Sequence, residues 1–217
     1  MTMVGEIPAD TSSRAERPLR PTFDASDLPT VVYGSRVITW WGTAGFMLAE
    51  AATLAACVAS YYYIRRNFQA WPPLHTPLPD LLLPTISLIV LVASVFPCYQ
   101  YAKAAKRLDH DATTRWLWIA VTVMLIATVL RFMEFQSLNV RWDANAYASV
   151  AWTVVFAHFS LLLVDTIETV VFAVMAQRKS MPTRYYPGIA EDAFYTYFMV
   201  SVWIPCYVTV YLVPRWV

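Results

Sequence analysis

Apolar residues fall in five long blocks along this chain, separated by short polar segments rich in arginine, aspartate and proline. The blocks lie at about 37–64, 80–102, 115–136, 147–177 and 192–214. Each is long enough for the ~20 residues that cross a hydrocarbon core, and the longer ones must tilt. Residues 1–36 are polar and carry Pro8, Pro18, Pro21 and Pro29, which predicts a tail without a packed core. The expected fold class is an all-α integral membrane protein: a polar N-terminal tail, 1–36, then a five-transmembrane-helix bundle, 37–217. In the second span Pro84 falls in the first turns and Pro97 predicts a kink.

Composition agrees with the pattern. The chain is 58% hydrophobic and 14% charged, with mean hydropathy +0.46. Soluble domains sit near 45–50% apolar and about 25% charged, so this excess needs a bilayer. Many of the 9 Trp, 13 Tyr and 11 Phe lie at block ends, where amphipathic rings populate the membrane interface. The net charge of +1 gives no basic surface for nucleic acid. Cys57, Cys98 and Cys206 lie far apart in apolar blocks and read as small buried hydrophobes.

Loop cations set the expected orientation. The tail and the loops after the second and fourth spans hold Arg14, Arg17, Arg20, Arg36, Lys103, Lys106, Arg107, Arg115, Arg178, Lys179 and Arg184. The other side holds Arg65, Arg66, Arg131, Arg141 and Arg215. This bias predicts a cytoplasmic N-terminus and a C-terminus outside.

The chemistry worth weighing is inside the spans. Glu50 is the one charge between Val37 and Ile64 and sits near the middle of that block. An ionisable group at such depth costs about 2.5–3.5 kcal/mol on the gentlest insertion scale. Thr43, Phe46, Glu50, Thr53 and Cys57 share one helix face, beside a small-residue stripe of Gly42, Gly45, Ala49, Ala52, Ala56 and Ala59. Small stripes let helices approach closely, which places Glu50 at a helix contact. One reading is a neutral, hydrogen-bonded structural carboxyl. The others are proton handling and docking of a partner subunit. On the fourth span His158 and Asp165 fall on one stripe, and Glu168 follows Asp165 by three. These could form a buried polar stripe facing another helix or subunit, a proton relay, or a metal site. With only His75, His110 and His158 in the chain, a haem or copper site lacks ligands. Arg131 and Glu134, three apart near the end of the third span, are expected to form an interfacial ion pair of modest worth. The loop WPPLHTPLPD at 71–80 is expected to be extended and stiff.

Several of these residues fall in an order that resembles subunit III of cytochrome c oxidase and its relatives among the haem-copper oxidases. Gly42, Phe46 and Glu50 match that family's Gly-x-x-x-Phe-x-x-x-Glu pattern. Trp71, Pro72 and Pro73 match its Trp-Pro-Pro loop, followed by a Leu-Pro entry at Leu78 and Pro79. Glu134 and Phe135 stand in the place of a Glu-Tyr pair, and AYAS at 146–149 resembles Ala-Tyr-Gly-Ser. His158 takes the first histidine of Phe-His-Gly-x-His, and Phe198, Trp203 and Tyr211 fit the family's last helix. Leu161 replaces the second histidine, Tyr197 and Val200 replace a histidine and an aspartate, and Asp165 and Glu168 stand at usually apolar positions. The first two helices of seven-helix members are absent.

The resemblance implies a short, five-helix, non-catalytic subunit of a bacterial terminal oxidase, working in aerobic respiration coupled to proton translocation. It implies no redox cofactor in this chain, haem and copper in partner subunits I and II, and bound phospholipid. Support of subunit I stability and of its proton uptake would be its role, and a multi-pass place in the bacterial inner membrane its setting, with the C-terminus periplasmic. Quinol oxidase subunits and accessory proteins of nitric oxide reduction are close alternatives. A small proton or ion transporter using Glu50, Asp165 and Glu168 is the alternative of a different class, weakened by the lack of an internal repeat.

Overall fold

A computed structural model describes residues 31–178 and 181–216. Most of the expected tail therefore lies outside the described residues. Within it, Gly34–Arg36 form one 3-10 turn ahead of the bundle.

Seven α-helical segments make up five spans: α1 (Ile38–Arg65), α2 (Leu82–Ala93), α3 (Val95–Lys106), α4 (His110–Met133), α5 (Ala146–Ala176), α6 (Tyr186–Tyr207) and α7 (Val213–Trp216). No strand occurs among the described residues. Segments α2 and α3 form one span interrupted only at Ser94, whose hydroxyl donates to the Leu91 carbonyl at 2.7 Å. Pro97 follows three residues later, where its missing N–H removes a ladder bond. The last span continues from α6 through a π-turn at Val208–Leu212 into α7. Pro205 lies just ahead of that turn, and its carbonyl accepts from the Thr209 hydroxyl at 2.8 Å. All five spans are long and apolar enough to cross a membrane.

Boundaries differ from the sequence expectation at several ends, among them the second span, which runs on through Lys106. The third span starts at His110, because Asp109 caps it and accepts from the Ala112 N–H at 3.0 Å. The last span starts at Tyr186, so Glu191 and Asp192 lie inside a helix. Asn145 caps α5 in the same way, accepting from the Ala148 N–H at 2.9 Å.

In the bundle α4 packs on α5, α3 and α2, while α6 packs on α3, α5 and α1. The last span is the most enclosed and α1 the least. Only Glu50, Leu54 and Tyr61 of α1 are buried, one narrow stripe at helical spacing. The stripe of Gly42, Gly45, Ala49, Ala52, Ala56 and Ala59 is exposed, and nothing lies within 4 Å of a side chain added at Gly42 or Gly45. The small residues expected to seat another helix therefore seat none of the described residues.

At one end the loop 66–81 folds back onto the bundle. Trp71 is buried edge-on against Tyr61 of α1 and Tyr147 of α5, each ring 5.3 Å away. The loop backbone is tied by Asp80 N–H to the Ser137 carbonyl at 2.7 Å, by Asn139 to the Leu78 carbonyl, and by Arg215 to the Pro79 carbonyl. In the neighbouring loop, hydrogen bonds from Arg141 hold the exposed Asp143 carboxyl below the usual carboxylate range.

Candidate functional site: the polar groups inside the bundle

The interior carries two sets of polar side chains on different turns of α5 and α6. In the first, Asp192, Tyr195 and Thr196 share one face of α6 at i, i+3, i+4 spacing. The Tyr195 hydroxyl reaches both Glu50 oxygens, at 2.8 and 2.7 Å, and Glu50 is 6% exposed. Thr196 Oγ1 lies 3.3 Å from Asp165 Oδ2 and 3.2 Å from the Asp192 carbonyl. The Asp192 carboxylate accepts from the Tyr101 hydroxyl at 2.7 Å and from Thr169 Oγ1 at 3.2 Å. Asp165 and Asp192 are both buried. Each carboxyl therefore has a hydroxyl donor, the condition for placing such a group away from water.

Glu168 is different. It is exposed on α5 and lines an open cleft of about 390 Å³ between α1, α5 and α6, together with Thr39, Glu191, Asp192 and Tyr195. Neither Glu50 nor Asp165 lines that cleft. Glu191 is buried there and accepts from Thr39 at 3.0 Å.

The second set is His158, Trp203, Arg131 and Glu134. His158 Nε2 lies 3.1 Å from the Met199 carbonyl, and its ring centroid is 4.5 Å from that of Trp203. The Arg131 guanidinium lies over the Trp203 ring at 3.6 Å, within cation–π range. Arg131 Nη1 pairs with Glu134 Oε2 at 2.6 Å. The pair is not the modest interfacial one expected: both side chains are fully buried, with the Trp203 ring of α6 against Arg131. Arg131 is thus no loop cation, and removing it from the outer tally strengthens the charge bias.

The sequence candidates do not converge on one centre. Glu50 and His158 contact different partners, Tyr195 and Met199, on the same helix. Asp165 joins the first set and Glu168 only borders it. Asp192, Glu191, Tyr101, Thr169 and Tyr195 went unremarked in the sequence. The i, i+4 pairs Asp165–Thr169 and Asp192–Thr196 were the available signal. Among the described residues no three His, Cys, Asp or Glu side chains are arranged to hold a metal ion.

No protein-family model matches the chain. Individual relatives do. Cytochrome c oxidase subunit 3 of Synechocystis is 26% identical over 212 residues, 90% of this chain and 88% of the relative. The subunit 3 protein of Thermostichus vulcanus is 23% identical over 174 residues, covering 78% and 85%. That of Drosophila yakuba is 20% identical over 177 residues, covering 79% and 68%. Over nearly its whole length the chain is similar to cytochrome c oxidase subunit 3 proteins. Glu50, which the resemblance matches to that family's glutamate, accepts from the Tyr195 hydroxyl. His158 and Trp203, also matched to the family, touch each other. Arg131 adds a cation to that contact. Val200, where the resemblance expects an aspartate, is buried among apolar neighbours.

Proposed function

We propose that this chain is the non-catalytic subunit III of a bacterial haem-copper terminal oxidase, with haem and copper held by partner subunits I and II. It would cross the inner membrane five times with a cytoplasmic N-terminus and a periplasmic C-terminus, stabilise subunit I and sustain its proton uptake. The observation that carries this reading is a match to cytochrome c oxidase subunit 3 running nearly end to end on both chains. The interior supports it: the buried carboxyls are closed by tyrosine and threonine hydroxyls. A transporter needs its ionisable groups along a shared path, and the only one of its three candidates on an open cleft is Glu168.

Extraction in mild detergent through a tag on this chain is expected to bring down haem and copper in one stable complex. Tagged material without haem absorption would end the oxidase assignment. Turnover of that complex with reduced cytochrome c against quinol, and with nitric oxide against oxygen, then separates a cytochrome c oxidase from a quinol oxidase or a nitric oxide reductase assembly.

Glu50→Gln is expected to leave assembly and initial turnover of the complex near wild type, because the amide oxygen still accepts from Tyr195. Loss of assembly in this variant, scored by co-purified haem per tagged chain, would show that the carboxylate charge itself is structural.

A further inference from the structure

The two polar sets of the interior are not equally well closed. In the first, the Glu50 and Asp192 carboxyls each accept from a tyrosine hydroxyl at 2.7 Å. In the second, the Glu134 carboxyl is at least as enclosed, and it bonds through Oε2 to a single guanidinium nitrogen, Arg131 Nη1. A guanidinium and a carboxylate can meet through two parallel bonds. Here the fork is half closed: Glu134 Oε1 and Arg131 Nη2 have no hydrogen-bond partner among the described residues.

The shortfall extends to the groups around the pair. Arg131 Nε, Ser87 Oγ, the Tyr211 hydroxyl, Trp203 Nε1 and His158 Nδ1 are also buried without a partner of normal hydrogen-bond geometry. All six residues have 0% exposure. Ser87 of α2 and Tyr211 of the π-turn face the Glu134 carboxyl. Arg131 lies over Trp203, and Trp203 touches His158. Native interiors leave few buried polar atoms unpaired, because each one forfeits its bonds to water.

The character of the set selects what can close it. Arg131 and Trp203 offer only N–H donors, the Glu134 carboxylate only acceptors, and the two hydroxyls either. His158 Nε2 faces the Met199 carbonyl at 3.1 Å, so it carries the hydrogen and leaves Nδ1 of a neutral ring as an acceptor. An anion would meet the Glu134 carboxylate, and a cation would meet the Arg131 guanidinium. The ligand must therefore be uncharged, donate and accept at once, and be small enough for a densely packed interior. Water has these properties, and in protein interiors it takes up such polar groups.

We propose that an internal water molecule closes the fork, accepting from Arg131 Nη2 and donating to Glu134 Oε1, with the Ser87 and Tyr211 hydroxyls as its further partners. Buried waters typically make about three such bonds. The water ties α2, the end of α4 and the last span together inside the bundle. It also supplies the hydrogen bonds that a buried ion pair needs beyond its own contact. The site stands on this chain's own side chains and does not rest on the oxidase assignment.

The test is radiolytic labelling of the full-length tagged chain, with whatever subunits accompany it. An X-ray pulse splits bound water in place, and the hydroxyl radical oxidises the side chains beside it. Trp203 and Tyr211 are expected to be oxidised several-fold faster than Tyr101 and Met124, which are equally buried in the other part of the core. Rates no higher than those of the two controls overturn the proposal. Arg131→Met with Glu134→Leu, which makes both poles of the site apolar, is expected to abolish the excess. Excess labelling that persists in the folded double variant also overturns it, because the radicals would then enter by opening of the bundle. If that variant does not fold, a density map of the wild-type complex fine enough to show ordered water reads the site without substitution. Density bonded to both Arg131 Nη2 and Glu134 Oε1 is expected, and ordered side chains with no such density overturn the proposal.

Discussion

Arg131→Met is expected to destabilise the bundle by about 3–5 kcal/mol, because it removes one member of a buried ion pair and leaves the other. Arg131 and Glu134 have no exposed side-chain surface, and they meet at 2.6 Å. The geometry is good but incomplete: Arg131 Nε and Nη2 and Glu134 Oε1 find no further hydrogen-bond partner. Such a pair contributes little net stability against an apolar replacement, since both ions must be desolvated. The consequence is an asymmetry between variants. Either single substitution, Arg131→Met or Glu134→Leu, strands an unpaired group in the interior, whereas Arg131→Met with Glu134→Leu is expected to recover most of the loss. Arg131→Lys is expected to be poor as well, because an ammonium cannot spread over the Trp203 ring, 3.6 Å from the guanidinium carbon. Thermal loss of helicity in detergent, across the single and double variants, reads this directly. A double variant no more stable than the singles would mean the pair acts through packing and not through charge.

That pair also marks where sequence reasoning stopped. Its i, i+3 spacing was legible, and so was its place near a helix end. Its burial was not, because the ring that covers it belongs to α6, far along the chain. The five spans were legible for the opposite reason: a membrane helix satisfies its backbone internally, so a long apolar block is a local signal. Boundaries failed where polar residues were taken as solvated. Asp109 is a helix cap beside His110, and Asp192 is a buried acceptor for Tyr101 and Thr169. In both cases the partner, not the residue type, decides the environment. The small-residue stripe of α1 shows a further limit, since its spacing says that something can come close without saying what. Glu50 was legible as a buried group at a helix contact, and only the fold supplied Tyr195 as its partner.

Trp71→Ala is expected to cost about 3–5 kcal/mol, the range for deleting a large buried aromatic. The loop that carries Trp71 lies between spans, so water is the alternative environment and burial of the ring gains its full transfer free energy. The ring stands edge-on to Tyr61 and Tyr147 at 5.3 Å, and Phe68 packs at 5.5 Å. Those contacts join α1, the loop and α5, so a cavity there loosens three elements together. Trp71→Phe is expected to cost less than about 1.5 kcal/mol, since it keeps an aromatic of similar shape. The indole nitrogen it deletes has no hydrogen-bond partner to lose, as also for the hydroxyls of Tyr61 and Tyr147. Unfolding of the purified protein by a denaturing detergent, together with protease cleavage within residues 66–81, measures both variants. If Trp71→Phe is as unstable as Trp71→Ala, the ring nitrogen has a role that packing does not supply. If Trp71→Ala matches wild type, the loop is held by its backbone ties to Ser137, Asn139 and Arg215 instead.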